Sequence, residues 1–414
     1  MSPRLIADPS TPVVVLNCKL GGLGIMRSLG PQGVFMAGVD ESARSPGMVS
    51  RYCRERVVAK FDRAAPDIYL DRIMTLGRRL GGRPVLIPTS DDLAVFVAEN
   101  RETLRQQFVF PDNDPALVRA LVSKRGMYRI AQEVGVPVAQ TEFPRSLEEV
   151  EAFAERTTYP VMLKGIHGDR LFARTGKKML IVRDRDELME HYRLMEDPEQ
   201  PNLMLQEYIP GGDDQVYIFN GYFDNDSECQ GAFTGHKIRQ YPIHVGCASL
   251  GICKWNAEVA ALTQDFMQRI GYRGILDIGY RLDPRDGRYK VLDVNPRVGQ
   301  AFRLFTAEND MDVVRALYLD LTGQERMEMT PREGRRWWIE DYDLISTVHY
   351  LREGSLTIRE WLGSFGGVEE GAWFHWRDWR PFLHMVGGLL VRSGRHILQR
   401  SGLLRAPRSA EAAG

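Results

Sequence analysis

The chain has 414 residues, of which 43% are hydrophobic and 26% charged, so it is long enough for two or three compact domains. Its 54 Lys and Arg residues nearly balance its 55 Asp and Glu residues, and this balance excludes a molecule-wide field that would gather nucleic acid. Its five cysteines are scattered and form no C-x-x-C pair, which argues against a zinc cage or a disulfide framework.

The first part of the chain alternates short apolar runs with glycine turns and helix-like stretches. Strands are predicted at residues 13–16, 34–39, 85–87 and 108–110, and a helix at residues 68–80. Short buried strands that alternate with helices are typical of a parallel open α/β sheet. Residues 1–113 therefore predict an N-terminal α/β domain with a parallel sheet.

Two helices are predicted next, because the sequence carries the residues that begin and end them. Asp114 is the cap of the first helix, and Pro115 stands in its first turn, where a missing N–H costs nothing. The second helix runs from Ser123 as its cap to Gly135 as its stop.

Beyond Pro137 the pattern changes to strands and turn signals mixed with helices. Strands are predicted at residues 161–163, 179–182, 203–206, 216–219, 231–238, 274–282 and 289–294, and helices at residues 185–195 and 257–270. Residues 284–287, Pro-Arg-Asp-Gly, predict a turn between the last two strands. We therefore expect an α+β domain at residues 114–325, followed by a helical or irregular C-terminal extension at residues 326–414.

The strand that ends in Asp293-Val294-Asn295-Pro296-Arg297 carries the most specific signal. Side chains two residues apart share one face of a strand, so Asp293 and Asn295 project together. Asp277 lies inside the preceding predicted strand, between apolar neighbours. Mg²⁺ takes oxygen ligands, usually one or two carboxylates plus substrate phosphates. The pattern indicates a magnesium site, and the alternative is a set of buried carboxylates satisfied by arginines such as Arg297.

Two lysines stand where they could reach a phosphate. Lys164 ends an apolar strand, and we expect the following glycine-bearing loop at residues 165–176 to close over the phosphate. Lys124 begins a helix, where a cation is unfavourable unless an anion lies nearby. The alternative for each is an ordinary lysine that extends into solvent.

A third element runs from an apolar strand into Gln206-Glu207-Tyr208-Ile209 and a glycine turn. The exposed backbone of such a strand can pair with an adenine edge, while Glu207 accepts from the exocyclic amine and Asp214 from ribose hydroxyls. Acidic residues at a turn are more often solvated than functional, so both interpretations stay open.

The order of Lys124, Lys164, residues 206–209, Asp277 and the Asp-x-Asn-Pro-Arg strand end resembles the ATP-grasp superfamily. The resemblance covers about three quarters of the chain, residues 12–322. Segments at residues 27–30, 50–53, 88–91 and 135–137 are similar to the branch of carboxylate–amine ligases that contains D-aspartate ligases and is related to biotin carboxylase.

This resemblance implies a role for each site residue. The nucleotide would be bound through Lys124 and Lys164 at its phosphates, through Gln206, Glu207, Tyr208 and Ile209 at adenine, and through Asp214 at ribose. Two Mg²⁺ (or Mn²⁺) ions would be held by Asp277, Asp293 and Asn295. The reacting groups would be steadied by Arg297, Lys237 and Arg239. The two metal aspartates replace the commoner glutamates, and their shorter reach leaves the number of ions open.

The function implied by the resemblance is that of an ATP-dependent ligase. It would convert a carboxylate into an acyl phosphate, join the acyl group to an amine, and release ADP and phosphate. The alternatives are biotin-carboxylase-like, ATP-dependent carboxylation and a non-catalytic nucleotide sensor or scaffold. Gly21-Gly22-Leu23-Gly24 after a strand suggests a dinucleotide-binding enzyme, but it lacks the G-x-G-x-x-G spacing. The carboxylate and the amine are not identified by the sequence.

The C-terminal segment at residues 371–414 has seven arginines against Asp378 and Glu411, and it also carries Trp373, Trp376 and Trp379. The arginines are interleaved with the aliphatic residues Leu389, Leu390, Ile397, Leu403 and Leu404. Such a segment suits an anionic membrane surface or a partner groove, although packing against its own domain is the more frequent outcome.

The other partners and the location follow from the same features. Small-molecule carboxylate and amine substrates are expected, nucleic acid is not, and a homodimer is left open. The first ten residues carry Arg4 and Asp8 where a signal peptide needs an apolar core, and no apolar run approaches the roughly 20 residues of a membrane span. We therefore expect a cytoplasmic protein.

Overall fold

The structure is a computed structural model that describes residues 5–177, 179–244 and 246–400, without the side chains of Asp169 and residues 391–400. Its named strands form a four-stranded parallel sheet, a four-stranded antiparallel sheet and a seven-stranded mixed sheet. Within this described part, none of the helices has the length and hydropathy of a membrane span. The side chain of Ile397 and all of Leu403 and Leu404, considered above, lie outside the described residues.

The N-terminal sheet is parallel, as predicted, and its strands are connected by helices. The strands are β1 (Val13–Leu16), β2 (Met36–Asp40), β3 (Cys53–Val58) and β4 (Val85–Pro88). The helices are α1 (Leu20–Leu29), α2 (Pro46–Val49), α3 (Pro66–Leu80), α4 (Asp91–Glu99) and α5 (Arg101–Leu104). The strand order is β3-β2-β1-β4. The strand predicted at residues 108–110 is reduced to a single bridge between Val109 and Val85.

The two capping residues begin helices as the sequence predicted. The Asp114 carboxylate accepts from the Ala116 N–H at 2.9 Å and starts α6 (Pro115–Val122). The Ser123 hydroxyl accepts from the Gly126 N–H at 3.4 Å and starts α7 (Lys124–Glu133). The chain then leaves α7 through Gly135, whose φ of 72° is in the left-handed region that glycine adopts without strain.

The small antiparallel sheet carries the predicted phosphate lysine. Its strands are β5 (Thr141–Glu142), β6 (Val161–Gly165), β7 (Met179–Val182) and β8 (Leu203–Glu207), in the order β5-β8-β6-β7. Its helices are α8 (Leu147–Arg156), α9 (Gly168–Thr175) and α10 (Arg185–Met195). The loop expected at residues 165–176 is therefore largely helical, because Leu171 is buried in the core beneath it and Gly176 ends the helix at a φ of 71°.

The seven-stranded sheet carries the predicted metal residues. Its strands are β9 (Val216–Phe223), β10 (Cys229–Tyr241), β11 (Cys247–Cys253), β12 (Gly274–Asp283), β13 (Arg288–Asn295), β14 (Arg336–Trp338) and β15 (Val368–Gly371). Its order is β13-β12-β9-β10-β11-β14-β15. The accompanying helices are α11 (Ala257–Arg269), α12 (Val313–Leu321), α13 (Glu340–Glu353), α14 (Ile358–Gly363) and α15 (Arg380–Arg400).

The region expected to be a helical or irregular extension contains the three helices α13, α14 and α15 and, in addition, contributes two short strands to the large sheet. Strand β14 pairs with β11, and β15 pairs with β14. Trp337 and Ile339 are buried in one hydrophobic core with Val13 and Met26 of the N-terminal part. The short length of β14 and its arginine- and tryptophan-rich sequence give no alternating pattern, so only its pairing with β11 makes it a strand.

Candidate active site

The pairing of β12 with β13 brings the three predicted metal residues together. Asp277 lies directly opposite Asn295, and Gly279 lies opposite Asp293. The Asn295 amide donates a hydrogen bond from Nδ2 to Oδ2 of Asp293 at 2.9 Å. Because side chains at these register positions share a face of the sheet, two carboxylates and an amide form one cluster.

Two glycines leave the space that these carboxylates occupy. A Cβ at Gly279 would lie 2.3 Å from Oδ1 of Asp293, and a Cβ at Gly299 would lie 2.1 Å from Oδ2 of Asp277. Neither position has a positive φ, so backbone conformation does not require glycine there. The close approach of a carboxylate oxygen is the reason that a larger residue does not fit.

Electrostatics at the cluster depend on burial and on Arg297. Burial raises the pKa of Asp277 to about 6, with a further increase from Asp293 and an opposing effect of Arg297. Arg297 donates from Nε to Oδ1 of Asp91 at 2.8 Å and from Nη2 to Oδ1 of Asn295 at 2.9 Å. The arginine thus connects the cluster to the start of α4 in the N-terminal part.

The oxygen atoms of this cluster fit a hard cation whose coordination is completed by phosphate oxygens. Within the described residues, no group of three or more His, Cys, Asp or Glu side chains could hold a metal ion alone. Asp277 and Asp293 with the Asn295 amide provide the small oxygen set that Mg²⁺ uses when phosphates complete its coordination. The glycine space beside each carboxylate is consistent with that use.

Lys164 lies within electrostatic reach of this cluster and is held by Gln206. Its Nζ donates to Oε1 of Gln206 at 2.9 Å, while Nε2 of Gln206 donates to the Tyr128 hydroxyl at 2.7 Å. The pKa of Lys164 is lowered to about 8. Burial is the main cause, the charge of Lys124 acts in the same direction, and the charge of Asp293 opposes the change. Lys124 donates from Nζ to the Gly165 carbonyl at 2.6 Å. The Gln206 side chain therefore positions the lysine.

The remaining residues of the predicted nucleotide segment have different environments. The Glu207 carboxylate accepts from Nζ of Lys290 at 3.1 Å and from Nη2 of Arg285 at 2.9 Å. The Tyr208 N–H donates to the Pro160 carbonyl at 3.1 Å, and the side chain of Ile209 is buried. Asp214 is exposed in the short 3₁₀ turn at Asp213–Gln215.

Lys237 and Arg239, the two cations predicted to steady the reacting groups, both lie on β10 but make different contacts. Lys237 donates from Nζ to the Gly246 carbonyl at 2.8 Å, and its charge lowers the pKa of Asp277. Arg239 is buried and makes a two-pronged salt bridge, in which Nε and Nη2 each lie 2.8 Å from an oxygen of Asp343. The structure therefore brings Lys237 to the cluster and directs Arg239 towards α13.

Four residues that sequence reasoning missed belong to this region. Arg281 acts on Lys164 by its charge and donates from Nη2 to the Gly211 carbonyl. The Asp91 carboxylate accepts from Arg297, and the Tyr128 hydroxyl accepts from Gln206. Asn220 lies opposite Asp277 on β9, fully buried, and its Oδ1 has no partner within the described part of the chain. The segment Pro-Thr-Ser-Asp before α4 was a visible signal for Asp91, whereas the other three depend on strand register.

The glycines after β1 are explained by close packing. A Cβ at Gly22 would lie 2.8 Å from the Asn17 carbonyl oxygen, and a Cβ at Gly24 would lie 2.6 Å from the ring of Phe302. A Cβ at Gly21 would lie 3.4 Å from the Gly299 carbonyl oxygen. This turn therefore packs against the segment that follows the predicted metal residues. Close packing explains its glycines without a bound dinucleotide.

Comparison with known proteins adds to this geometry. No family model matches the chain. The chain is 22% identical over 316 residues to the D-aspartate ligase of Enterococcus faecium, covering 73% of this chain and 74% of that protein.

Solved structures show the same fold at low identity. The N5-carboxyaminoimidazole synthetase of Staphylococcus aureus, complexed with ADP, matches with a TM-score of 0.60 and 14% identity over 83% of this chain and 86% of that chain. The L-amino acid ligase of Bacillus licheniformis matches with a TM-score of 0.58 and 14% identity over 78% of each chain. The chain is therefore similar in sequence to a D-aspartate ligase and shares the fold of these synthetase and ligase structures.

Proposed function

We propose that the chain is an ATP-dependent carboxylate–amine ligase that forms an amide bond through an acyl phosphate. The observation that carries the proposal is the cluster of Asp277, Asp293 and Asn295 on paired strands, with Lys164 in electrostatic reach. Such a set of oxygen ligands and cations suits phosphoryl transfer, which needs charge neutralisation and alignment more than a covalent protein intermediate. The relationship to D-aspartate ligase supports the same chemistry.

The cluster would hold the metal through Asp277, Asp293 and Asn295. Bound Mg²⁺ or Mn²⁺ would neutralise charge on the β- and γ-phosphates. Asn295 is already oriented by its contacts with Asp293 and Arg297, so the amide oxygen is presented by a fixed side chain. Asn220 lies opposite Asp277 and donates from Nδ2 to the Leu276 carbonyl, so its unpaired amide oxygen would add to the oxygen atoms beside the metal.

The chain's own cations would bind the triphosphate and the acid. Lys124 and Arg281 act on Lys164 by their charge, and Lys237 and Arg297 act on Asp277, so these five cations would share the phosphates and the acid. A substrate carboxylate oxygen attacks the γ-phosphorus, the bond to ADP breaks, and ADP leaves with the electron pair. The amine then attacks the acyl carbon, inorganic phosphate leaves, and the amine loses its proton to solvent or to phosphate.

The nucleotide base would be held differently from the side-chain prediction. The Glu207 carboxylate already binds Lys290 and Arg285, and the N–H groups of Glu207 and Tyr208 donate to backbone carbonyls, so we assign adenine to the backbone of Ile209 and ribose to Asp214. Arg239 is held by Asp343, so we assign it the role of fixing β10, which carries Lys237, rather than contact with substrate.

Phosphate release with Mg-ATP and pooled amino acids tests the proposal. Asp293→Ala and Asn295→Ala should each abolish release while circular dichroism and thermal unfolding stay close to those of the parent protein. Asp265→Ala is the matched control, because Asp265 is an exposed acid that only pairs with Arg269 on α11. Near-normal release by either cluster variant would refute the metal assignment.

The same assay separates the two alternatives. Release that needs bicarbonate but no amine would indicate carboxylation of the biotin-carboxylase type. Magnesium-dependent nucleotide binding without release on any carboxylate and amine would indicate a sensor. Coupling of ADP formation to a new amide, detected by mass spectrometry of the products, supports the ligase and identifies the two substrates.

A further inference from the structure

The segment between β15 and α15 is fixed to the body of the protein by buried polar contacts. The Asp378 carboxylate is 1% exposed and accepts from Nε of Arg27 at 3.2 Å and from the Ser50 hydroxyl at 2.8 Å. Trp373 donates from Nε1 to Oδ1 of Asp341 at 2.8 Å. These contacts give the segment a defined orientation on the surface.

This segment and the first half of α15 turn apolar side chains outward. We call this surface the aromatic face and define it by Phe374, Trp376, Trp379, Leu383 and Leu390, which are 50%, 68%, 52%, 55% and 69% exposed. Single exposed apolar residues are normal, but five within one short segment form a patch of the kind that marks an interaction site. The polar anchors lie inside and the rings lie outside, so hydrophobic burial among the described residues does not explain the arrangement.

Helical spacing makes the patch continuous along α15. Leu383 and Leu390 are seven residues apart and therefore lie on one side of the helix, while Met385 is 7% exposed and packs inward. Trp379 precedes Leu383 by four residues and continues the same line. Over residues 380–390, the helix thus has one side on the protein and another side, which carries both leucines, in solvent.

The charge on this element is entirely positive. Helix α15 contains Arg380, Arg392, Arg395 and Arg400 and no Asp or Glu, although the chain as a whole has a net charge of −1. The guanidinium of Arg377 lies over the Trp376 ring at 4.4 Å. Tryptophan and leucine beside arginine are the residues that lie in the headgroup region of a bilayer.

We propose that the aromatic face docks on an anionic membrane surface. The rings and leucines enter the boundary between headgroups and acyl chains, and Arg377 and the exposed Arg380 pair with lipid phosphates. A two-fold contact between copies would place these two arginines against their own counterparts, since an isologous interface joins identical patches. Charge therefore favours a lipid surface over a second copy, and the inference is independent of the proposed ligase activity.

Sedimentation of the full chain with vesicles tests this proposal. The chain should pellet with vesicles of phosphatidylcholine mixed with phosphatidylglycerol and not with phosphatidylcholine alone, and added salt should release it. In the variant Trp379→Ser with Leu383→Ser, the apparent binding constant should fall on the order of tenfold or more, because both side chains lose their burial in lipid.

The control removes equally exposed apolar groups elsewhere. Ile68→Ser with Leu194→Ser, at 68% and 65% exposure, should bind the vesicles as the parent chain does. Thermal unfolding checks that both variants remain folded. The proposal is overturned if the parent chain fails to pellet with the anionic vesicles or if the face variant pellets equally well. It is also overturned if the chain is a dimer that the face variant converts to a monomer without vesicle binding, since a second copy would then cover the face.

Discussion

Lys164 is partly buried, and keeping its charge there without the proposed phosphate should weaken the nucleotide-free protein by an amount that can be measured. Burial, with the charges of Lys124 and Arg281, lowers its pKa from the ordinary 10.5 to about 8. At about 1.36 kcal/mol per pH unit, this difference corresponds to about 3 kcal/mol of lost stability while the lysine is charged in both states. Lys164→Met removes that penalty.

The substitution also has a cost, because Oε1 of Gln206 loses the donor that lies 2.9 Å away. An unpaired buried acceptor costs about 1–3 kcal/mol, so the net gain in stability at pH 7 is about 0–2 kcal/mol. Nucleotide binding should weaken strongly in the same variant. We expect a lysine that serves phosphate binding to show this opposition between stability and function.

The pH dependence gives the sharper measurement. The unfolded chain holds the Lys164 proton up to about pH 10.5 and the folded chain only up to about pH 8, so the unfolded state binds more protons in between and stability rises with pH. From pH 8 to about 9.5, the parent protein should gain about 2 kcal/mol relative to Lys164→Met in urea unfolding. Lys60→Met, at an exposed lysine, should follow the parent. Parallel profiles for the parent and Lys164→Met would refute the reasoning.

Three further changes probe other parts of the site. Gly279→Ala places a Cβ 2.3 Å from Oδ1 of Asp293 and should lower Mg-ATP-dependent phosphate release on the order of 10–100-fold, whereas Gly363→Ala, which has no atom within 4 Å of its Cβ, should not. Arg239→Met leaves the buried Asp343 carboxylate without its partner and should lower the free energy of unfolding, measured in urea, by about 3–5 kcal/mol. Adding Asp343→Leu should recover much of that loss. If the effects of the two substitutions simply add, the pairing is contradicted. Glu207→Ala should lower the melting temperature, because Lys290 and Arg285 lose one of the two carboxylates that they share, with Asp283 as the other; a loss of ATP affinity at unchanged melting temperature would instead favour a direct adenine contact.

Local sequence signals were sufficient for many elements. The caps at Asp114 and Ser123 and the stop at Gly135 depend on contacts within a few residues, so they could be read without the fold. The runs that became β7 and α10 were bounded correctly for the same reason. The helix at Gly168–Thr175 was missed, because its glycines suggested a loop while the burial of Leu171 decided otherwise.

What the sequence alone determined was the set of chemical groups and their alternation along single strands. It put Asp293 and Asn295 on one face of a strand because side chains repeat every two residues, and it marked Lys164 as the end of an apolar strand.

Only the tertiary structure decided which groups meet. The register of β12 with β13 and β9 aligned Asp277 with Asn295 and Asn220, and the meeting of α13 with β10 took Arg239 away to Asp343. Strand register and helix packing bring together residues that are distant in sequence, and they depend on hydrogen bonds and close packing across the whole fold. These pairings therefore could not be predicted from local patterns in one sequence.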